Sequence, residues 1–191
     1  NHQRLDMLPG RENIFPTSYE GRNVSIEQLK RQCPIAEELH IKIGALVMLR
    51  KNDTSFPYQY VNGTLGTVMA LSNEALTLKL LSGKTIDIER TTFSLINGNG
   101  EEQASAYNFP VTLAWASTIH KAQGASIDSL MISLTRLWES GHAYVALSRA
   151  RSVEGLFIEQ WDERSIFIDP LVQDFYNVIR MEWEAISATL P

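Results

Sequence analysis

The chain has 191 residues, enough for one domain of ordinary size or one domain with a small insertion. With 44% hydrophobic and 20% charged residues, it has the composition of a globular domain, and no apolar run approaches the length of a membrane span. A formal charge of −5 excludes a surface that binds nucleic acid everywhere, so any such site must be local.

No secretory or transit pattern opens the chain, and its first residue is Asn1, so it is expected to be a piece of a longer protein or a processed product. Cys33 is the only cysteine. A disulfide framework and a cysteine-based zinc site are therefore ruled out, which is compatible with a reducing, intracellular compartment. The histidines, His2, His40, His120 and His142, have no metal-ligand spacing, and no metal is expected on them.

In chain order, 1–19 contains Pro9-Gly10 and Pro16 without a clean period and reads as mostly loop. Ser25 and Gln28 form a capping-box pattern opening a short helix from Ile26 to Cys33, which Pro34 stops. Leu39, Ile41 and Ile43 alternate with polar positions, and Ala45 to Leu49 is almost wholly apolar, as a strand entering a core would be. Strands are expected at Ala45 to Arg50, Gly66 to Leu71, Ala75 to Leu81, Thr85 to Glu89 and Thr92 to Leu95. Turns at Asn62-Gly63, Ser72-Asn73 and Ser82-Gly83 separate them, a spacing that predicts a small antiparallel barrel or sandwich over 45–108. Asn97 to Glu102 is a return loop.

Ser82-Gly83-Lys84-Thr85 ends like a phosphate-binding P-loop, but the required upstream glycine is Leu78, and the run lies between strands instead of opening a helix. It reads as a hairpin turn. With no other P-loop and no strand ending in an Asp-Glu pair, the chain alone is not expected to hydrolyse ATP.

Aromatic residues Phe56, Tyr58 and Tyr60 crowd the loop from Asn52 to Tyr60. They could stack on single-stranded bases or pin the loop to its own barrel or a neighbouring domain.

The most informative stretch runs from Val111 to Ile158. A short apolar run, Val111 to Trp115, breaks into Ser117, Thr118, His120, Lys121 and Gln123 and closes at Gly124. Ser129 to Leu134 is a second strand, Gly141 to Arg149 a short helix, and Leu156 to Ile158 a third strand. Strands alternating with crossovers predict a parallel α/β sheet, with ligands beyond the carboxyl ends of the strands, where 118–124 would lie. Basic groups gather along this stretch at His120, Lys121, Arg136, Arg149 and Arg151. Beyond it, Asp169-Pro170 is a cap followed by proline at the first helical position. Leu171, Phe175, Ile179, Trp183 and Ile186 then form one apolar stripe on a C-terminal helix, expected to pack on the domain.

Ser117-Thr118-Ile119-His120-Lys121-Ala122-Gln123-Gly124 resembles motif V of superfamily 1B DNA helicases, and Tyr144-Val145-Ala146-Leu147-Ser148-Arg149-Ala150-Arg151 resembles motif VI, most like the PIF-type and RecD-like branches. Ile43 to Asn52 with Val61 to Gly66, and the opening Arg4 to Gly10, agree with PIF-type members in the same order. The resemblance implies an α/β fold: a second RecA-like motor domain over 1–44 and 109–191, with a parallel sheet. A small antiparallel Src-homology-3-like β-barrel is inserted at 45–108.

It implies the C-terminal half of an ATP-dependent 5′-to-3′ DNA helicase. In that setting Arg149 is the arginine finger, and Gln123, Gly124 and Arg151 contact nucleotide. Thr118, His120, Lys121, Tyr58 and Tyr60 contact single-stranded DNA. ATP and Mg2+ would be held mainly by a first RecA-like motor domain of the same protein, absent from this chain, and no membrane is involved. Residue by residue, alternatives stand: Arg149 as an ion pair at a helix end, Arg151 as a carboxylate partner, His120 and Gln123 as a polar cluster capping the next helix. For the whole chain the alternative is a helicase-derived, non-catalytic scaffold that binds DNA or protein.

Overall fold

The computed structural model describes the backbone of residues 1–187 and the side chains of residues 1–184. The chain divides into two compact units, Asn1–Asp128 and Ser129–Pro191.

In the first unit, helix α1 (His2–Asp6) precedes strands β1 (Asn13–Pro16) and β2 (Ser18–Gly21), where the sequence predicts mostly loop. Both strands take partners far along the chain, so no local period announces them. β1 pairs antiparallel with β3 (Glu38–Ile41), after helix α2 (Asn23–Gln32). α2 starts before the expected capping box: its cap is Arg22, which makes no side-chain cap bond, and Ser25 lies inside the first turn.

β4 (Leu46–Leu49), β5 (Leu65–Leu71), β6 (Ala75–Leu80) and β7 (Thr85–Glu89) follow closely the expected strands, and Gly83 turns the β6–β7 hairpin at φ 88°, as a hairpin and not a P-loop. β8 (Thr91–Ile96) does not join them. It pairs instead with β9 (Glu102–Asn108), a strand of small and polar residues with no apolar run to mark it, in a three-stranded sheet of order β2-β9-β8.

β10 (Val111–Leu113) corrects another expectation. It does not join a parallel sheet with the next strand but pairs antiparallel with β4, giving a five-stranded sheet of order β10-β4-β5-β6-β7. An apolar run signals burial, not the direction of its neighbour. The main core lies against this sheet: Ile41, Val47, Leu49, Val68, Leu76, Leu78, Ile88, Phe109 and Val111 are buried. The buried Asn108 amide joins sheets to each other, donating to the Phe15 carbonyl and the Thr17 hydroxyl, both at 2.9 Å, while its oxygen accepts the Phe109 amide at 2.8 Å. Each polar group is satisfied, as burial demands. Lys42, also buried, donates to the Leu8 carbonyl at 3.1 Å and so ties the opening Arg4–Gly10 segment to the end of β3.

In the second unit β11 (Leu130–Leu134) and β12 (Leu156–Trp161) pair in parallel. Helix α3 (His142–Leu147) crosses between them, burying Ala143 and Ala146, with Leu134 buried on β11. The fold is thus mixed α/β, a parallel pair accompanying antiparallel sheets. Helix α4 (Pro170–Ser187) begins as expected, the Asp169 carboxylate accepting the Leu171 amide at 2.8 Å. Its stripe, by contrast, is open: Leu171, Phe175, Ile179 and Trp183 are all exposed, and the side chain of Ile186 lies outside the described residues. Among the described residues, no helix is long and apolar enough to cross a membrane.

Gly63 places the segment that follows β10. Its φ is +93°, and a Cβ there would lie 2.8 Å from both the Ala125 Cβ and the Ser126 amide nitrogen. Gly63→Ala should therefore cost about 2–4 kcal/mol of stability, read from denaturant unfolding with an unchanged slope.

His40 supplies a pH-dependent tie. The Glu12 carboxylate, 2.6 Å from its Nδ1, holds the imidazole pKa above the ordinary value against partial burial, with Glu38 assisting. The stabilisation is fully present below the unfolded value of about pH 6.5 and is lost as pH rises through the raised folded value. Thermal melts should show the wild type's advantage over His40→Gln at pH 6 and its disappearance by pH 8.5.

Candidate functional site: a basic groove and an arginine at a helix end

Past β10 the chain leaves the five-stranded sheet through Ala114, whose amide donates to the Leu46 carbonyl at 3.0 Å. The Asn1 side chain then clamps Ala116 on both sides, its oxygen accepting the Ala116 amide at 2.9 Å and its Nδ2 donating to the Ala116 carbonyl at 2.6 Å. A single turn of 3-10 helix follows at His120–Ala122. The Thr118 hydroxyl accepts the Lys121 amide at 3.3 Å, which leaves its own O–H as a donor toward solvent.

Thr118, His120 and Lys121 are exposed and line one wall of a groove of about 890 Å3. Lys30 and Arg31 from the end of α2, Arg50 after β4 and Thr112 of β10 form other parts of its lining. Among the described residues, the only acid lining it is Glu37, and that carboxylate is engaged by Lys30 at 3.0 Å. The groove is therefore a local basic feature on an acidic chain, suited to a polyanion.

Gln123 and Gly124 close the turn and are exposed. Gly124 takes φ +74° with open space where a Cβ would stand, so the glycine serves backbone conformation and not close packing.

Tyr58 is exposed and meets Phe56 edge-on at 6.2 Å, on a loop organised by Asp53. One Asp53 oxygen accepts the Ser55 amide and hydroxyl and the other the Gln59 amide, which together hold the carboxyl below its usual pKa range. Tyr60 is half-buried against the main core, and burial raises its phenol pKa. The two tyrosines thus present different faces: Tyr58 offers a ring to solvent, and Tyr60 anchors the loop.

In the second unit, Arg149 follows α3. Its Nε donates to the Val145 carbonyl at 3.0 Å and an Nη to the Ser148 hydroxyl at 2.9 Å, which orients the guanidinium plane on its own helix end. Arg151 is exposed two residues on, and Arg136 sits at a positive φ of 58° between β11 and α3. Sequence reasoning passed over Arg50. It lies at the end of an apolar strand, inside the Ile43–Asn52 string that agrees with PIF-type members, but neither feature assigned it a site role.

No family model matches the chain. A Pif1 ATP-dependent DNA helicase of Bdellovibrio bacteriovorus is 42% identical over 177 residues, covering 93% of this chain and 40% of the relative. The human PIF1 ATP-dependent DNA helicase is 38% identical over 183 residues, covering 94% of this chain and 28% of the relative. The chain thus spans about two fifths or less of the length of these relatives. A crystal structure of a Bacteroides Pif1 helicase superposes with a TM-score of 0.78 at 31% identity, over 95% of this chain and 42% of that one. Bacteroides Pif1 bound to single-stranded DNA superposes with a TM-score of 0.65, again at 31% identity, over 95% of this chain and 43% of that one. At 42% identity over 93% of its length, the chain is a member of the Pif1 DNA helicase family, corresponding to a part of its relatives' length.

Proposed function

We propose that this chain is the C-terminal half of an ATP-dependent 5′-to-3′ DNA helicase. It would supply the second RecA-like motor domain, 1–44 and 109–191, with a Src-homology-3-like barrel inserted at 45–108. The observation that carries the reading is the union of two motifs with suitable chemistry: the Thr118–Gly124 turn beside a basic groove, and Arg149 oriented at the end of α3. The relatives are named ATP-dependent DNA helicases, and one solved Bacteroides Pif1 carries ADP-AlF4.

ATP, once bound with Mg2+ mainly by a first motor domain, supplies the γ-phosphoryl group whose loss drives the cycle. Arg149 fits the task of stabilising charge on that group, since its planar fork matches phosphoryl oxygens and the bonds to Val145 and Ser148 limit its motion. Gln123, Gly124 and Arg151 would contact the nucleotide, Gln123 reporting its state to the DNA turn. Thr118, His120 and Lys121 would grip phosphates of single-stranded DNA, with Tyr58 stacking on a base and Tyr60 supporting its loop. Closing and opening against the first motor domain would move this grip along the strand.

In the full-length protein, Arg149→Ala should lower DNA-stimulated ATP hydrolysis by about 10³–10⁵ while leaving single-strand affinity within a few-fold. Unchanged turnover would remove Arg149 from the finger role. A wild-type protein with no stimulated hydrolysis would place the non-catalytic scaffold reading ahead.

A further inference from the structure

Arg50 stands apart from the other basic groups around it. Lys51, its neighbour, donates to the Thr91 hydroxyl at 2.8 Å and the Thr92 carbonyl at 3.3 Å and lies over the Phe93 ring. Lys30 pairs with Glu27 and Glu37, and Arg90 donates to the Asn73 carbonyl while stacking on Phe109. Arg50 has nothing comparable. Its Nε is buried without a hydrogen-bond partner, the only cationic nitrogen in that position among the described residues, and its Nη1 reaches only the Met48 sulfur at 3.5 Å. Burial alone acts on its pKa, which it lowers, with no carboxylate to oppose it.

Arginine cannot shed its proton to escape this situation, so the half-buried cation costs stability until an anion arrives. A thioether is a weak acceptor and offers little return. The side chain lines the same groove as Thr118 and Lys121. A groove with cations from α2, the end of β4 and the 3-10 turn suits a chain of anions better than one carboxylate.

We propose that Arg50 is a phosphodiester-binding residue, gripping one backbone phosphate of the single-stranded DNA that runs past Thr118 and Lys121. This rests on the reading of the groove as a DNA track. It adds a contact from the strand wall that differs in character from those of the exposed turn: pre-desolvated, weakly bonded within the protein, and complete only with the phosphate in place. The retained cation then represents stability given up for function.

The test uses the full-length protein and fluorescently labelled oligothymidylate, read by anisotropy across a salt series, with Arg50→Met as the variant. Methionine keeps much of the volume and removes the unpaired charge. Binding should weaken about tenfold at 0.1 M salt, and the slope of log affinity against log salt should fall by about 0.7, while the melting temperature holds or rises. A single uncharged methylphosphonate moved along the oligonucleotide should weaken wild-type binding about tenfold at one linkage and leave Arg50→Met indifferent there. If the variant keeps wild-type affinity and slope, Arg50 does not contact DNA, and a lowered melting temperature in that case makes it a structural residue. If the wild-type protein does not bind the oligonucleotide, the groove is not a DNA track, and the proposal falls with that broader reading.

Discussion

The pairing of β10 with β4 is the constraint on which the functional surface depends. Val111, Thr112 and Leu113 lie opposite Leu49, Met48 and Val47, and Val111, Leu113, Leu49 and Val47 are buried in the main core. Burying such side chains stabilises by roughly 1.5–3 kcal/mol each, far more than any surface contact in the turn beyond could contribute. The turn at Thr118–Gly124 therefore inherits its position from the core. Two smaller features complete the placement: the Asn1 side chain bonds both the amide and the carbonyl of Ala116, and Gly63 lets the backbone of the β4–β5 connection press against Ala125 and Ser126.

The electrostatics are built in the opposite sense from the chain as a whole. Acidic residues outnumber basic ones, yet the groove beside β10 has Arg31, Arg50 and Lys121 in its lining and only Glu37 as an acid. Because exposed charges are screened within about 8 Å at physiological ionic strength, a local excess can attract a phosphate backbone while the distant acidic surface repels little. Lys30 shows how selective the arrangement is. Its two glutamate partners raise its pKa and absorb its charge, which leaves the arginines and Lys121 to set the character of the groove.

Among the described residues, the second unit holds a parallel strand pair, a crossover helix, a 3-10 turn at Glu163–Ser165 and a long terminal helix. α3 packs through Ala143 and Ala146, residues small enough for the helix to lie close, and this holds its C-terminal end and Arg149 in a defined place. α4 has the period of a helix that covers a core, but its apolar stripe is exposed along the described length, so periodicity reported the element and its face without reporting what that face meets.

The local features were legible in the amino-acid sequence because they rest on local physics. Apolar runs bounded by turn residues marked β6 and β7, a glycine marked the hairpin between them, Asp169-Pro170 marked the start of α4, and the strings around Thr118 and Arg149 carried the family resemblance. Pairing between distant segments had no such signature. β1 and β2 are short and interrupted by Pro16, β9 is mostly small and polar, and the direction of β10 depends on β4 lying beside it, sixty-odd residues away in the chain. The candidate site divides in the same way: its turn and its helix-end arginine could be read from motif order, whereas Arg50 acquired its meaning only when folding buried its Nε without a partner in the wall of the groove. Residue type and period decide what a segment can form; only the tertiary structure decides which distant segments meet, and therefore which charge is left waiting for a ligand.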